Sequence, residues 1–150
     1  MIQRKQTLWL LLAFILACVC QALPLGFLQP SGMGTDYIMY TTQILHDGKS
    51  DLSVFPLFAV LLVSEILSLV AVFLYHNRKR QSRLCVWNMA ILLVWYACFI
   101  VFALVKGCDT LAFHPAFPSV LPLAAFIAVW LARRGIIHDE RLVRAADRIR

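Results

Sequence analysis

Four long apolar blocks dominate the pattern of this 150-residue chain, at residues 7–28, 54–75, 85–106 and 117–133. Each block approaches the roughly 20 residues that a helix needs to cross about 30 Å of hydrocarbon. Residues 8–19 do not alternate between apolar and polar, as the strands of a membrane barrel would. Because only helices and closed barrels satisfy their backbone in lipid, the pattern predicts four transmembrane helices.

The predicted fold is therefore all-α: an integral membrane bundle of four transmembrane helices, forming one domain over residues 1–150. The link at 76–84 is short, which predicts that helices 2 and 3 are antiparallel neighbours. The segment 29–53 is too short for a domain of its own. We expect it to form a short hairpin or to lie along the membrane. Pro24 and Gly26 should loosen the end of helix 1.

The tail at 134–150 has a helical pattern of its own. Leu142, Ala146 and Ile149 recur at helical spacing among charged residues. This pattern predicts a short amphipathic helix that lies on the membrane surface, separate from the fourth span. The alternative is a helix that docks on a partner protein.

Composition and charge agree with a membrane protein. The chain is 61% hydrophobic, whereas soluble domains are typically about 45–50% apolar. Its net charge is +6, and its basic residues are concentrated in the N-terminus, in the link between helices 2 and 3 and in residues 133–150, which together hold 12 of the 14 Lys and Arg residues. The positive-inside rule then places all three segments, and both termini, in the cytoplasm. Aromatic residues near the cytoplasmic end of each helix form an interfacial belt: Trp9, Tyr75, Trp87 and Trp130.

Membrane topology therefore accounts for the distribution of the basic residues, which argues against nucleic-acid binding. It also predicts contacts with anionic lipid headgroups, at about 1 kcal/mol for each basic residue near the surface. We expect the first block to be a retained helix rather than a cleaved signal peptide, because its apolar run continues past Cys20 to Leu28.

Glu65 is the one charged residue inside the second block and lies close to the bilayer centre. An ionised side chain there costs roughly 2.5–3.5 kcal/mol on insertion scales. We therefore predict a protonated Glu65 that faces the bundle interior and is hydrogen-bonded to Ser68, Trp95 or Tyr96. This intramembrane polar site has two interpretations, a packing contact between helices or a proton-carrying group, of which we favour the first.

The sequence contains no recognisable catalytic chemistry. It lacks nucleotide-binding loops, nucleophile elbows and zincin motifs. Its five Cys lie mostly in the apolar blocks and do not form a disulfide framework. We predict no cofactor, no metal site and no enzymatic activity.

Three stretches carry a resemblance to a known family: MIQRKQTLWLLLA at 1–13, NRKRQSRLC at 77–85 and DERLVRAADRIR at 139–150. Together they resemble the domain-of-unknown-function family numbered 4293, a bacterial family of small four-helix membrane proteins found mainly in Gram-negative species. The resemblance implies a retained N-terminus and an inner-membrane location. It implies no activity.

Three functions are compatible with these features. The first is a non-enzymatic scaffold or accessory subunit, with a membrane protein or a second copy of the chain as partner. Its lipid or partner contacts would be the basic residues Arg78, Lys79, Arg80, Arg83, Arg141, Arg144 and Arg148. The second is a small proton-coupled transporter that uses Glu65. The third is a lipid-acting membrane enzyme, with Asn77, Gln81 and Asn88 as its polar groups at headgroup level.

Overall fold

The computed structural model describes residues 3–30, 35–74, 77–106 and 111–147. Within these ranges the chain forms four long helices: α1 (Gln3–Ala22), α2 (Phe55–Phe73), α3 (Arg78–Lys106) and α4 (Leu121–Asp147). All four are long and apolar enough to cross a membrane. Each helix packs against its neighbours in a closed ring, α1 against α2 and α4, and α3 against the same two. Consecutive helices run antiparallel, as the short link between α2 and α3 predicted.

The helix ends differ from the predicted blocks. α1 ends at Ala22 rather than at 28, because Pro24 removes a backbone donor and disfavours helical backbone at Leu23. α3 begins at Arg78, so most of the predicted link at 76–84 is helical. Its residues are Arg, Lys, Gln, Ser and Leu, which a helix accommodates readily.

The separate amphipathic tail helix was a wrong prediction. α4 continues without interruption from its apolar half through the charged segment to Asp147. The tail contains no proline, and Gly135 alone does not break a helix that packs against α1. Leu142 and Val143 are about half exposed on the last turns of α4, whereas Ile149 lies outside the described residues.

The all-α prediction is confirmed only in part: the chain is mostly helical, but the segments at the other end of the bundle form an antiparallel sheet. Its strands are β1 (Gly26–Pro30), β2 (Tyr37–Met39), β3 (Ile44–His46), β4 (Lys49–Asp51) and β5 (Leu111–Pro115). Their order in the sheet is β4-β3-β2-β1-β5. β1 follows α1 and β5 follows α3, so the sheet joins the ends of two helices. Backbone groups outside the helices must pair with a partner or with water, and here they pair with each other.

A tight turn supports the hairpin expected in 29–53. β3 and β4 pair through Ile44–Asp51, Leu45–Ser50 and His46–Lys49. The two turn residues, Asp47 and Gly48, both have positive φ, at 46° and 73°. This combination matches the two-residue turn whose twist fits a hairpin. The hairpin alternative is therefore confirmed for this part of the segment.

Gly26 allows β1 and β5 to approach closely. A Cβ atom at Gly26 would lie 2.7 Å from the Phe113 ring and 2.8 Å from the His114 carbonyl oxygen. Next to it, the Leu25 amide donates to the Met39 oxygen at 2.7 Å, and the Leu25 carbonyl accepts from the Ala116 amide at 2.9 Å. These two bonds join the residue that links α1 to β1 with the last residue of β2 on one side and with the residue after β5 on the other.

The bundle core is apolar and the outer surface of the helices is apolar as well. Small side chains are buried along α1 and α4, including Ala13, Ala17, Ala128 and Ala132. The α1–α4 contact is the most extensive between helices, as expected where small residues let backbones approach. Large apolar side chains such as Leu93 and Ile66 point outward. Exposed apolar surface all around a bundle is typical of contact with lipid.

Candidate functional site

Glu65 lies near the middle of α2 and faces the interior, with 6% of its surface exposed. The Cys18 thiol of α1 is a hydrogen-bonding neighbour of its carboxyl group. Among the described residues its Oε1 atom has no hydrogen-bond partner. The interior position agrees with the prediction for a carboxyl group at this depth, and Cys18 provides the polar contact.

The predicted partners of Glu65 bond elsewhere. Trp95 Nε1 donates to the Leu57 carbonyl oxygen at 3.1 Å, and the Tyr96 hydroxyl donates to the Ser119 carbonyl oxygen at 2.9 Å. The Ser68 hydroxyl accepts a hydrogen bond from Asn88 Nδ2. The partner of a buried side chain depends on how the helices are rotated against one another, which counting residues along each helix does not give.

Asn88 of α3 makes the central polar contact between α2 and α3. It is 2% exposed. Its Oδ1 accepts from the Ser64 hydroxyl at 2.5 Å, and its Nδ2 donates to the Ser68 hydroxyl at 2.7 Å. We call this arrangement the Asn88 bridge. Two turns nearer the start of α3, Gln81 Nε2 donates to the Ala71 carbonyl oxygen at 2.9 Å.

Gln81 and Asn88, two of the polar groups considered for a lipid-acting enzyme, are engaged in these bonds. Both side chains are buried between helices, and their amide groups bind neighbouring side chains or backbone. They serve helix packing in this arrangement. The sequence offered a signal: Ser64 and Ser68 lie one turn apart, and an Asn inside an apolar helix needs such partners.

A second buried polar contact lies at the end of the bundle that is farthest from the sheet. We call this end, formed by residues 3–9, 78–87 and 130–147, the basic end. Here Gln6 Nε2 of α1 donates to Asp139 Oδ2 of α4, and both side chains are buried. Arg78 of α3 donates to the Asp139 carbonyl oxygen at 3.4 Å. Gly135 leaves room for Gln6, whose Cγ lies 3.1 Å from where a Cβ would be. Three helices therefore meet at Asp139.

A groove of about 660 Å³ runs along the outward face of α4 at the basic end. We call it the α4 groove; it is lined by Trp130, Leu131, Arg133, Arg134, Gly135, Ile137, His138 and Arg141. The Arg134 guanidinium lies 5.7 Å from the centre of the Trp130 ring, within cation–π range. Three guanidinium groups beside an aromatic ring make a surface suited to an anionic group with an apolar attachment.

A smaller groove of about 330 Å³ lies on α3 at the same end. This α3 groove is lined by Leu74, Arg80, Arg83, Leu84 and Trp87. Arg83 and Arg80 lie one and two turns from Trp87 toward the start of α3, as Arg134 lies one turn from Trp130 toward the end of α4. Since α3 and α4 run in opposite directions, both grooves present arginine on the same side of tryptophan.

The predicted basic contacts divide into three groups. Lys79, Arg80 and Arg83 are exposed on the first turns of α3, and Arg141 is exposed on α4. Arg78 is partly buried and bonds to α4. Arg144 belongs to the last turns of α4, and Arg148 lies outside the described residues. Of the described residues, no three His, Cys, Asp or Glu come together as a possible metal site.

Comparison with known families decides the relationship suggested by the three sequence stretches. A sequence model described as "Domain of unknown function (DUF4293)" matches residues 2–149. The chain belongs to the DUF4293 family. The match covers all four helices and the sheet, so the arrangement described above is that of a DUF4293 domain. No curated protein matches the chain.

Two features of this DUF4293 protein escaped sequence reasoning. The α4 groove contains Arg133 and Arg134, which had been counted for topology but not as a binding surface. No contact was predicted for Asp139 and Gln6, which bond across the bundle. The helical spacing of Trp130, Arg134, His138 and Arg141 was available in the sequence, but it becomes a single face only once α4 is known to be continuous.

Proposed function

We propose that this DUF4293 protein is a non-enzymatic multi-pass protein of the bacterial inner membrane that acts as a scaffold or accessory subunit. Its basic end lies in the cytoplasm, with both termini there. The exposed arginine and lysine residues of α3 and α4 contact anionic lipid headgroups and a membrane protein partner or a second copy of the chain.

One observation carries this proposal: exposed basic side chains are gathered at one end of the bundle, whereas polar groups inside it bind neighbouring helices. Lys79, Arg80 and Arg83 extend from α3, and Arg134 and Arg141 from α4. The Asn88 bridge lies inside and makes packing contacts. An external basic face suits binding at the membrane surface or to a partner.

The proposal is tested by crosslinking in the native membrane, followed by purification of the full chain in mild detergent. We expect a stoichiometric partner, or a homo-oligomer, to be retained by the wild type. Replacing Lys79, Arg80 and Arg83 with Gln should weaken that retention while leaving insertion intact. A matched control is Ser50→Ala, an exposed change at the sheet end. If the wild type retains neither a partner nor a second copy of the chain, the scaffold role is contradicted.

A second candidate, proton-coupled transport, has the support of one observation. Glu65 is buried mid-helix, and its Oε1 has no hydrogen-bond partner within the described part of the chain. A buried carboxyl group with a free acceptor atom resembles the groups that relay protons in membranes. The Cys18 thiol beside it supplies a second exchangeable proton.

Proton flux in liposomes separates the two candidates. The transport role predicts proton flux through the reconstituted wild type and loss of that flux in Glu65→Gln. A carboxyl group can bind and release a proton, whereas the amide of Gln does not titrate. The packing role predicts no flux in either protein and similar stability in both. Ser119→Ala serves as the control, since Ser119 is buried but bonds locally to the Ala116 carbonyl oxygen.

A further inference from the structure

We propose that the α4 groove is a binding site for the phosphate of an anionic phospholipid headgroup. The inference rests on the proposed function in placing the basic end at an anionic leaflet, and it deepens that proposal by naming one site and one ligand class. The lipid is a glycerophospholipid with a net negative headgroup, such as phosphatidylglycerol.

The α4 groove is complementary in charge to a phosphate. Arg134 and Arg141 are exposed and line the groove with Arg133 and His138. Arginine presents planar N–H donors that match the oxygen atoms of a phosphate. Among the described residues, none of the residues lining the groove is acidic. Arg134 is positioned by Trp130, whose ring lies under the guanidinium.

Within the described part of the chain, Arg133 of the α4 groove carries an unpaired hydrogen-bond donor. Arg133 Nε is buried and has no hydrogen-bond partner among the described residues. Buried polar groups in proteins are nearly always hydrogen-bonded, so an unpaired donor calls for an acceptor. Arg133 also lines the groove, so a change of its rotamer that exposes Nε would let a phosphate oxygen bound there accept from it.

The positions of the groove arginines along α4 set their depth relative to Trp130. Arg134 lies one turn beyond Trp130, about 6 Å along the helix axis, and Arg141 about 16 Å beyond it. Tryptophan favours the boundary of the hydrocarbon core. The headgroup layer adds about 5–8 Å on each side of that core. Arg133 and Arg134 therefore lie at the level of lipid phosphates when Trp130 lies at the boundary. The Arg141 backbone lies about 8–11 Å beyond the headgroup layer. Long side chains on a helix lean toward its N-terminus, which directs the Arg141 side chain back toward the headgroups.

Volume and lining distinguish a lipid from a free ion. The groove volume of about 660 Å³ is within the roughly 300–1,000 Å³ of sites that hold whole organic ligands. Leu131 and Ile137 add apolar surface next to the arginines. A headgroup with the start of its acyl chains uses both surfaces, whereas inorganic phosphate would use only the basic one.

Native mass spectrometry of the full chain, titrated with phosphatidylglycerol or with phosphatidylcholine of the same acyl chains, tests the site. We expect the wild type to retain phosphatidylglycerol more tightly. Each basic residue near an anionic group contributes about fivefold, so Arg134→Gln with Arg141→Gln should weaken retention about thirtyfold. The comparison pair, Lys79→Gln with Arg80→Gln, removes the same charge from α3, outside the α4 groove, and should weaken phosphatidylglycerol retention less than the α4 pair does. Restoring charge with Arg134→Lys and Arg141→Lys should recover part of the binding.

The outcomes separate this inference from the proposed function. If the α4 pair loses no more lipid than the α3 pair, the groove is not the site, even though the basic end still prefers anionic lipid. If the wild type shows no preference for phosphatidylglycerol over phosphatidylcholine, lipid contact by the basic end fails as well. Displacement of the lipid by equimolar inorganic phosphate would identify a site for free phosphate and overturn the lipid assignment.

Discussion

Replacing Asn88 by Ala removes the polar link between α2 and α3. The side chain uses both ends of its amide: Oδ1 accepts from Ser64 at 2.5 Å, and Nδ2 donates to Ser68 at 2.7 Å. Hydrogen bonds between membrane helices contribute about 0.6 kcal/mol on average, and at most about 1.7. Two such bonds give an expected loss of about 1–3 kcal/mol in the free energy of unfolding. The loss stays within this range because a freed serine hydroxyl can bond to a carbonyl of its own helix one turn earlier.

A double-mutant cycle isolates the bond itself. The free energy of unfolding is measured by titrating SDS into the purified protein in mixed micelles, for Asn88→Ala, Ser68→Ala and the double variant. We expect a coupling of about 0.6–1.7 kcal/mol. The matched control pairs Asn88→Ala with Ser119→Ala, a buried serine that bonds to the Ala116 carbonyl oxygen instead. Distant sites add within about 0.3–0.5 kcal/mol. A coupling to Ser68 no larger than the coupling to Ser119 would refute the Asn88 bridge.

Three further expectations follow from other parts of the fold. Gly26→Ala should destabilise the sheet by about 1–3 kcal/mol, because the new methyl group overlaps the Phe113 ring; limited proteolysis of the sheet end measures this, and unchanged cleavage contradicts it. Asp139→Ala should cost about 1–3 kcal/mol in the SDS titration by leaving Gln6 unpaired, whereas Asp139→Asn keeps an acceptor and should retain most of the stability. Epitope tags at either terminus should report the cytoplasm and a tag within 29–53 the outside; a terminal tag found outside would reverse the proposed orientation.

The sequence determined the features that depend on local composition. Four apolar runs predicted four helices, because a run of about 20 apolar residues is itself the signal for crossing the hydrocarbon. The segregation of basic residues predicted the basic end. Glu65 was expected to face the interior from its depth alone, since a carboxyl group directed into lipid is costly.

The tertiary structure decided the features that depend on distant residues. β1 and β5 are separated by about eighty positions, and their pairing satisfies backbone groups of both; apolar residues such as Phe27 and Leu28 extend the first run in the sequence and give no local sign of a strand. The hydrogen-bond partners of Glu65, Asn88 and Asp139 depend on how each helix is rotated about its axis. The position of a residue within an apolar run indicates roughly how deep it lies in the membrane. The direction of its side chain is set by the packing of the neighbouring helices.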